Sequence, residues 1–197
     1  MESPTKYVFV DCEYTGLHAA TTLVSAGFVT LPGEELYLVL NDYDAKQVTP
    51  WVRENVLVHL DERAAVSRRE ACARLAAFLE SYSQGLPVSL VSAGKSLDLI
   101  LVCQLWDTMP RATEFFHFHE GLPAYLNHRG HVDLDTLFLA AGIDPNVDRY
   151  DFLRIPRDGR RHNALHDAEI VRSCFLSLLD REPLRRFKAY ASSLRQA

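Results

Sequence analysis

The order of β-rich and helical segments restricts the fold of this chain more than any other feature. Residues 6–10, 25–31 and 36–40 are short runs rich in β-branched and aromatic residues, and the turn Pro32-Gly33 separates the second from the third. Three consecutive short strands predict an antiparallel meander. Helical and strand patterns alternate after them, which favours a mixed sheet with helices on both faces, the α/β layered class.

The middle of the chain predicts a helix, a strand and a second helix. Residues 67–82 carry apolar side chains at helical spacing, and Gly85-Leu-Pro87 ends that pattern. Residues 88–92 then form an apolar run of the length of a buried strand. Residues 98–106 again show helical spacing, with Asp98 at the predicted start.

Two more helices are predicted towards the end of the chain. Either Asp133 or Asp135 caps a helix that ends at Gly142. Residues 163–179 form the clearest helix, because their apolar positions follow the three-to-four spacing and Asn163 is a suitable N-cap.

Length and composition indicate a single globular domain over residues 1–197, with 48% hydrophobic and 24% charged residues. The longest apolar run is too short to cross a bilayer, and residues 1–10 lack the pattern of a secretory signal. A net charge of −5 argues against a protein that coats long nucleic acid, because such binding needs many contacts from Lys and Arg to phosphate. We therefore expect a cytoplasmic protein without a membrane segment, and a local site for a strand end stays compatible with this charge.

The four cysteines show no C-x-x-C spacing that would indicate a zinc or redox site. Each lies in an apolar context, so we expect reduced core residues: Cys12, Cys72, Cys103 and Cys174.

Two carboxylates follow the first predicted strand. Asp11 and Glu13 are two residues apart, so the period of a strand points both side chains to the same face. Hard divalent cations such as Mg²⁺ prefer carboxylate oxygen, and this pair is able to share one. A turn over residues 14–17 follows at once, and Gly16 allows close approach of the backbone to a ligand. An isolated Asp-x-Glu is more often a solvated strand end than a metal site.

A histidine and a third carboxylate precede and begin the last clear helix. Five residues along a helix turn a side chain through about 500°, so His162 and Asp167 do not share a face if both are helical. If Asn163 is the N-cap, His162 lies on the loop and reaches a metal-bound water, while Asp167 holds the metal from the first turn. Asp98 is a further candidate ligand, with a helix-starting carboxylate as its alternative interpretation.

Three parts of the chain carry these candidates: Phe9-Val-Asp-Cys-Glu-Tyr-Thr-Gly-Leu17, Asp98 and His162-x-x-x-x-Asp167. Together they resemble the three motifs of the DEDDh exonucleases, a DnaQ-like branch of the ribonuclease H-like fold. The order and the separations fit that family over nearly the whole chain, and so does the neighbouring Asp135-Thr-Leu. More narrowly, Trp51-Val-Arg53 and Cys103-Gln-Leu-Trp106 resemble bacterial exoribonucleases of the RNase AS group.

The resemblance implies a central mixed five-stranded sheet flanked by helices and a site for two Mg²⁺ ions, with Mn²⁺ as a substitute. Asp11 would bridge the ions, Glu13 and Asp167 would complete one site, and Asp98 would support the other. His162 would act as the general base for the attacking water.

The resemblance also implies a substrate and a partner. Tyr14, Thr15, Gly16 and Leu17 would receive the terminal nucleotide, with Leu17 against the base and main chain near Tyr14 or Thr15 at the 3′-hydroxyl. We expect 3′-to-5′ hydrolysis of single-stranded ends, most of all of RNA, by a homodimer. The alternatives are a DNA exonuclease of the proofreading or repair type and an inactive ribonuclease H-like binding module.

One position departs from the family pattern. Most members of the family have Asn four residues before the aspartate that corresponds to Asp98, whereas this chain has Gly94 there. Lys95 or Ser96 would then have to make the contact that the Asn side chain makes in the family.

Several histidines and the carboxyl-terminal residues carry weaker signals. His117 and His119 alternate as on a strand, but no further ligands accompany them, so we expect structural or solvated roles. His166 is expected on the helix surface. Phe187, Tyr190 and Leu194 predict an amphipathic helix that covers the core.

Basic and aromatic residues suggest further contacts to substrate. The loop over residues 154–161 contains four arginines and is expected to be mobile, either guiding phosphate or remaining solvated. Trp51 with Arg53 is compatible with stacking on a nucleotide, with packing, or with a subunit contact.

Overall fold

A five-stranded mixed sheet forms the centre of the structure, a computed structural model that describes residues 5–93, 96–106, 122–127, 130–157, 159–179 and 181. The strand order is β3-β2-β1-β4-β5. The strands are β1 (Lys6–Tyr14), β2 (Leu23–Thr30), β3 (Glu35–Val39), β4 (Val88–Ser92) and β5 (Val132–Asp133). The first three form an antiparallel meander, as the sequence predicted. β4 pairs in parallel with β1, and β5 pairs in parallel with β4.

Six α-helices surround this sheet in the described part of the chain. They are α1 (Pro50–Asn55), α2 (Arg68–Ser83), α3 (Ser96–Gln104), α4 (Leu134–Ala140), α5 (Arg149–Leu153) and α6 (Ala164–Leu178). Ser67 caps α2, Asp133 rather than Asp135 caps α4, and Asn163 caps α6. The sequence predicted four of these helices and missed α1 and α5, because a helix of five or six residues is too short to show a period.

Two differences between predicted and observed boundaries concern the candidate carboxylates. β1 continues to Tyr14, so Asp11 and Glu13 lie inside the strand rather than at its end. α3 begins at Ser96, which places Asp98 within the first turn instead of at the start.

Alternation along β1 divides the core into two layers. Tyr7 and Phe9 pack against α6, where the ring of Phe9 lies 5.2 Å from that of Phe175. Val8 and Val10 face the opposite layer with α2 and α3. Each face of the strand therefore buries apolar side chains, and burial of each large one stabilises the fold by about 1.5–3 kcal/mol.

Gly27 of β2 lets α6 lie very close to the sheet. A Cβ at this position would fall 2.3 Å from the carbonyl oxygen of Ala164 and from Cα of Leu165. Because Gly27 pairs with Asp11 across β1 and β2, the first turn of α6 is held next to that carboxylate.

All four cysteines carry free thiols, and Cys72 is only half-buried. None of the helices in the described ranges has the length and apolar content that crossing a bilayer requires. The predictions for Gly94, Lys95, the histidines at 117 and 119, and the helix around 187–194 lie outside the described residues.

Candidate active site

A cavity of about 1000 Å³ opens beside the carboxyl-terminal half of β1. Its wall contains every side chain that the sequence proposed for catalysis: Asp11, Glu13, Asp98, His162 and Asp167. β4 pairs with β1 only as far as Phe9, while β1 continues along β2 to Tyr14. The half of β1 that carries Asp11 and Glu13 therefore has no pairing with β4 and borders the cavity.

His162 and Asp167 are held together by the start of α6. The backbone N–H of His162 donates to Oδ2 of Asp167 at 2.9 Å. Asn163 caps the helix by accepting a hydrogen bond from the backbone N–H of His166. His162 has φ of +66°, a left-handed conformation that costs free energy outside glycine and is common at functional sites. The predicted placement of the histidine on the loop and the aspartate in the first turn is confirmed.

Three of the side chains are close enough to share one cation. One ligand atom each from Glu13, His162 and Asp167 lie within 4.8 Å of one another. Nδ1 of His162 is 3.8 Å from Oε1 of Glu13. The carboxylate of Asp11 lies in the same cavity wall. Three carboxylates and one imidazole in one place suit a divalent cation that prefers oxygen ligands.

Asp98 reaches the same cavity from the opposite layer. It is 4% exposed, and its backbone carbonyl accepts a weak hydrogen bond from the Cys12 thiol at 3.9 Å. Burial raises the pKa of Cys12 well above its usual value, and the charges of Asp98, Asp11 and Glu13 raise it further. The carboxylates thus produce a concentrated negative field that a cation would neutralise.

The environment of His162 favours its neutral form. Burial lowers the pKa of the imidazole below its ordinary value, and the positive charges of Arg161 and His59 lower it further. The ring of Trp51 also contacts it, with centroids 4.9 Å apart and planes at 82°. A neutral imidazole is able to accept a proton, as a general base requires.

Trp51 belongs to the cavity wall, and Arg53 does not. Trp51 is 52% exposed and lines the cavity from α1, whereas Arg53 is exposed away from it. Ser96, one of the alternatives for the missing Asn contact, also lies outside the cavity lining.

The turn after β1 contributes three of its four predicted residues to the wall. Tyr14, Gly16 and Leu17 line the cavity, and Leu17 is 73% exposed. Thr15 is fully buried and is not part of the lining. Its backbone N–H donates to Thr22 and its carbonyl accepts from Thr49, so its main chain is already engaged.

A second wall, which the sequence did not reveal, comes from α5 and the segment before it. Asp148 caps α5, and Tyr150 lines the cavity. Arg149 forms an ion pair with Asp135 and donates to two backbone carbonyls before it, which holds this segment at the rim. The signal available in the sequence was Asp148 as an N-cap residue before a short amphipathic stretch.

His166 is buried rather than on the helix surface, so that prediction was wrong. It is 6% exposed, its Nε2 lies 2.9 Å from the Tyr150 hydroxyl and its Nδ1 lies 3.3 Å from Glu169. The reason is that α5 packs against the face of α6 that carries His166, and α5 was not predicted.

Three of the four arginines of the loop over residues 154–161, namely Arg157, Arg160 and Arg161, are paired with acidic residues. Arg157 contacts Asp148 at 3.2 Å and Asp151 at 3.0 Å, and Arg161 contacts Asp148 at 3.7 Å. Exposed pairs of this kind add little to stability, because solvent screens the charges. Arg161 is the arginine of this loop that lines the cavity among the described residues, where its charge also acts on His162.

Neither a protein-family model nor a curated protein matches the sequence of this chain. Solved structures do match its fold. Pop2p of S. pombe, in a form with Mg²⁺ and Mn²⁺ bound, has a TM-score of 0.63 and 14% identity over 92% of this chain and 85% of Pop2p.

Exonuclease I of E. coli is a second structural match. Its zinc-bound complex with single-stranded DNA has a TM-score of 0.58 and 12% identity, covering 94% of this chain and 42% of that protein. Its complex with a dA16 oligonucleotide also has a TM-score of 0.58 and 12% identity, over 91% of this chain. The present chain therefore spans about two fifths of exonuclease I.

These matches establish the fold. The mixed five-stranded sheet with helices on both faces is the ribonuclease H-like fold, as the sequence resemblance implied. At 12–14% identity they do not assign an activity.

Proposed function

We propose that this protein is a 3′-to-5′ exonuclease that depends on divalent cations. The observation that carries the proposal is the convergence of Asp11, Glu13, Asp98, Asp167 and His162, from three separate parts of the chain, on one cavity wall. This donor set suits Mg²⁺ or Mn²⁺ at two neighbouring positions. The metal-bound form of Pop2p and the single-stranded DNA complexes of exonuclease I, which share the fold, support the same assignment.

In this proposal the carboxylates bind the cations and His162 moves the proton. Bound divalent cations supply Lewis-acid chemistry that lowers the pKa of water and stabilises charge on phosphate. Glu13 and Asp167 would hold one cation, Asp98 would support the other, and Asp11 would contribute to both. The neutral imidazole of His162 accepts the proton of the attacking water, and its partners Trp51 and Glu13 hold the ring towards the cavity.

The rest of the wall binds the strand end. Leu17 and Trp51 offer exposed apolar surface on which the terminal nucleobase is able to pack. Main chain at Tyr14 and Gly16 lies beside it to meet the terminal sugar, and Arg161 offers a positive charge to the phosphate.

We propose RNA as the substrate class, from the resemblance of Trp51-Val-Arg53 and Cys103-Gln-Leu-Trp106 to the RNase AS group. We also propose a homodimer, on the same resemblance, and a cytoplasmic location, which the four free cysteines support. Single-stranded DNA is the second candidate substrate, and it is favoured by the structural match to exonuclease I bound to DNA.

The test compares matched oligonucleotides labelled at the 5′ end. RNA and DNA of one sequence are incubated with Mg²⁺, with Mn²⁺ and with chelator, and the products are separated by length. A ladder that shortens from the 3′ end, is lost with chelator and forms faster on RNA supports the proposal.

The control for contaminating nuclease is Asp11→Asn, purified in parallel, which should form no ladder. Faster hydrolysis of DNA would favour the second candidate. Failure of the wild type to cleave either strand, together with no binding of Mn²⁺ by calorimetry, would favour an inactive ribonuclease H-like binding module.

A further inference from the structure

The hydroxyl of Thr15 is the centre of a buried polar cluster. Oγ1 of Thr15 lies 3.1 Å from the Thr21 hydroxyl and 3.4 Å from the Thr22 hydroxyl, donates to Oε1 of Gln47 at 3.0 Å, and accepts from the backbone N–H of Thr22 at 3.1 Å. The Thr21 hydroxyl in turn accepts from the backbone N–H of Gly16 at 3.1 Å. The side chain of Thr15 is therefore fully used inside the protein.

The main chain of Thr15 connects the same turn to helix α1. Its carbonyl accepts a hydrogen bond from the backbone N–H of Thr49 at 3.2 Å. Thr49 is the N-cap of α1, because its hydroxyl accepts from the backbone N–H of Val52. A Cβ on Gly16 would lie 3.2 Å from the Thr49 methyl group, so the turn and the cap are also in direct contact.

Two exposed apolar side chains each lie two residues after one of the two hydrogen-bonded threonines, Thr15 and Thr49. Leu17 lies two residues after Thr15, and Trp51 lies two residues after Thr49. Both line the cavity, and both are more than half exposed. The hydrogen bond between Thr15 and Thr49 joins the backbone segments that carry these two side chains, and Trp51 also contacts the ring of His162.

We infer that Thr15 is a positioning residue: its buried hydroxyl and carbonyl fix the spacing between Leu17 and Trp51, and so form the seat of the terminal nucleobase. This inference rests on the proposed function and replaces the direct contact to the nucleotide that the sequence suggested for Thr15. A buried hydrogen-bond network of this kind keeps a unique geometry because each lost bond leaves a buried polar group unpaired.

The experiment compares Thr15→Val with Thr15→Ser. Valine has nearly the shape of threonine and lacks the hydroxyl, whereas serine keeps it. Two substrates are used: a single-stranded oligonucleotide, and bis(p-nitrophenyl) phosphate, which contains the phosphodiester without a nucleobase. Thr15→Val should raise KM for the oligonucleotide about tenfold, which lies within the range that one stacked base contributes, and change kcat less than threefold.

The base-free substrate and the serine variant separate positioning from general damage. Hydrolysis of bis(p-nitrophenyl) phosphate by Thr15→Val should change less than threefold, and Thr15→Ser should stay within twofold of the wild type on both substrates. If KM for the oligonucleotide is unchanged in Thr15→Val, or if both substrates are lost equally in a folded variant, the inference is wrong.

A second variant covers the case in which Thr15→Val does not fold. Gln47→Met removes the acceptor of the Thr15 hydroxyl from a half-buried site and should raise KM in the same direction by a smaller factor. An unchanged KM in Gln47→Met would then overturn the inference. A wild type that cleaves neither substrate would overturn the proposed function, and this inference with it.

Discussion

Replacing Gly27 by alanine adds one methyl group between β2 and α6 at the point nearest the site. The new Cβ would lie 2.3 Å from backbone atoms of Ala164 and Leu165, where ordinary contact begins at 3.4 Å. Backbone is unable to turn aside as a flexible side chain does, so the first turn of α6 must move by about 1 Å. That turn carries Asp167, and His162 is bonded to it.

The substitution is expected to reduce both stability and activity. Overpacking of this kind destabilises a protein by about 1–3 kcal/mol. A displacement of about 1 Å at a site that aligns reacting groups lowers the rate about 100-fold. Gly27→Ala should therefore remain folded and lose about two orders of magnitude in kcat for Mg²⁺-dependent hydrolysis.

The assay is steady-state hydrolysis of a labelled oligonucleotide, with urea unfolding of the same preparations. Gly142→Ala is the matched control, because Gly142 has φ of +72° and nothing within 4 Å of the added Cβ. It should lose about 1 kcal/mol of stability from backbone strain and retain activity. If Gly27→Ala keeps kcat within threefold of the wild type, the close approach of α6 does not set the geometry of the site.

Three further predictions concern side chains of the site and its support. Asp167→Asn should abolish Mg²⁺-dependent hydrolysis and leave the unfolding midpoint without metal unchanged or higher, since it removes one of several like charges; turnover near that of the wild type would refute its role as a ligand. His162→Ala should lower kcat about 10²- to 10⁴-fold and abolish the fall in rate on the acidic side of the pH profile. In the wild type the midpoint of that fall should lie below the ordinary histidine pKa, because burial and Arg161 lower the pKa of His162. If the fall persists in the variant, it belongs to another group. Tyr150→Phe should cost about 1–3 kcal/mol in urea unfolding because it removes the buried hydroxyl that forms a hydrogen bond with Nε2 of His166, and the cost should fall when His166→Leu is already present; equal costs in both backgrounds would mean that the two groups do not stabilise each other.

Much of the site was predictable because its residues follow local rules. The period of a strand places Asp11 and Glu13 on one face, and the cap at Asn163 separates His162 from the helix that carries Asp167. Each of these statements involves residues only a few positions apart. The resemblance of the three motifs to those of the DEDDh exonucleases then grouped these residues into one predicted site.

The missed features all depend on contacts between distant parts of the chain. His166 looked like a surface residue because its burial is produced by α5, a helix too short to show a period. Thr15 looked like a substrate contact because its partners, Thr22 and Gln47, are brought to it only by the turn and the segment before α1. The close contact of Trp51 with His162 joins residues more than a hundred positions apart.

The sequence by itself determined the order of strands and helices, the class of fold, and which carboxylates share a face, because hydrophobic period and helix caps act over a few residues. Only the tertiary structure decided how close α6 lies to β1, which arginines face the cavity, and which of the predicted residues is buried. Those distances follow from packing between elements, as at Gly27, and packing depends on the shapes of surfaces that are distant in the chain.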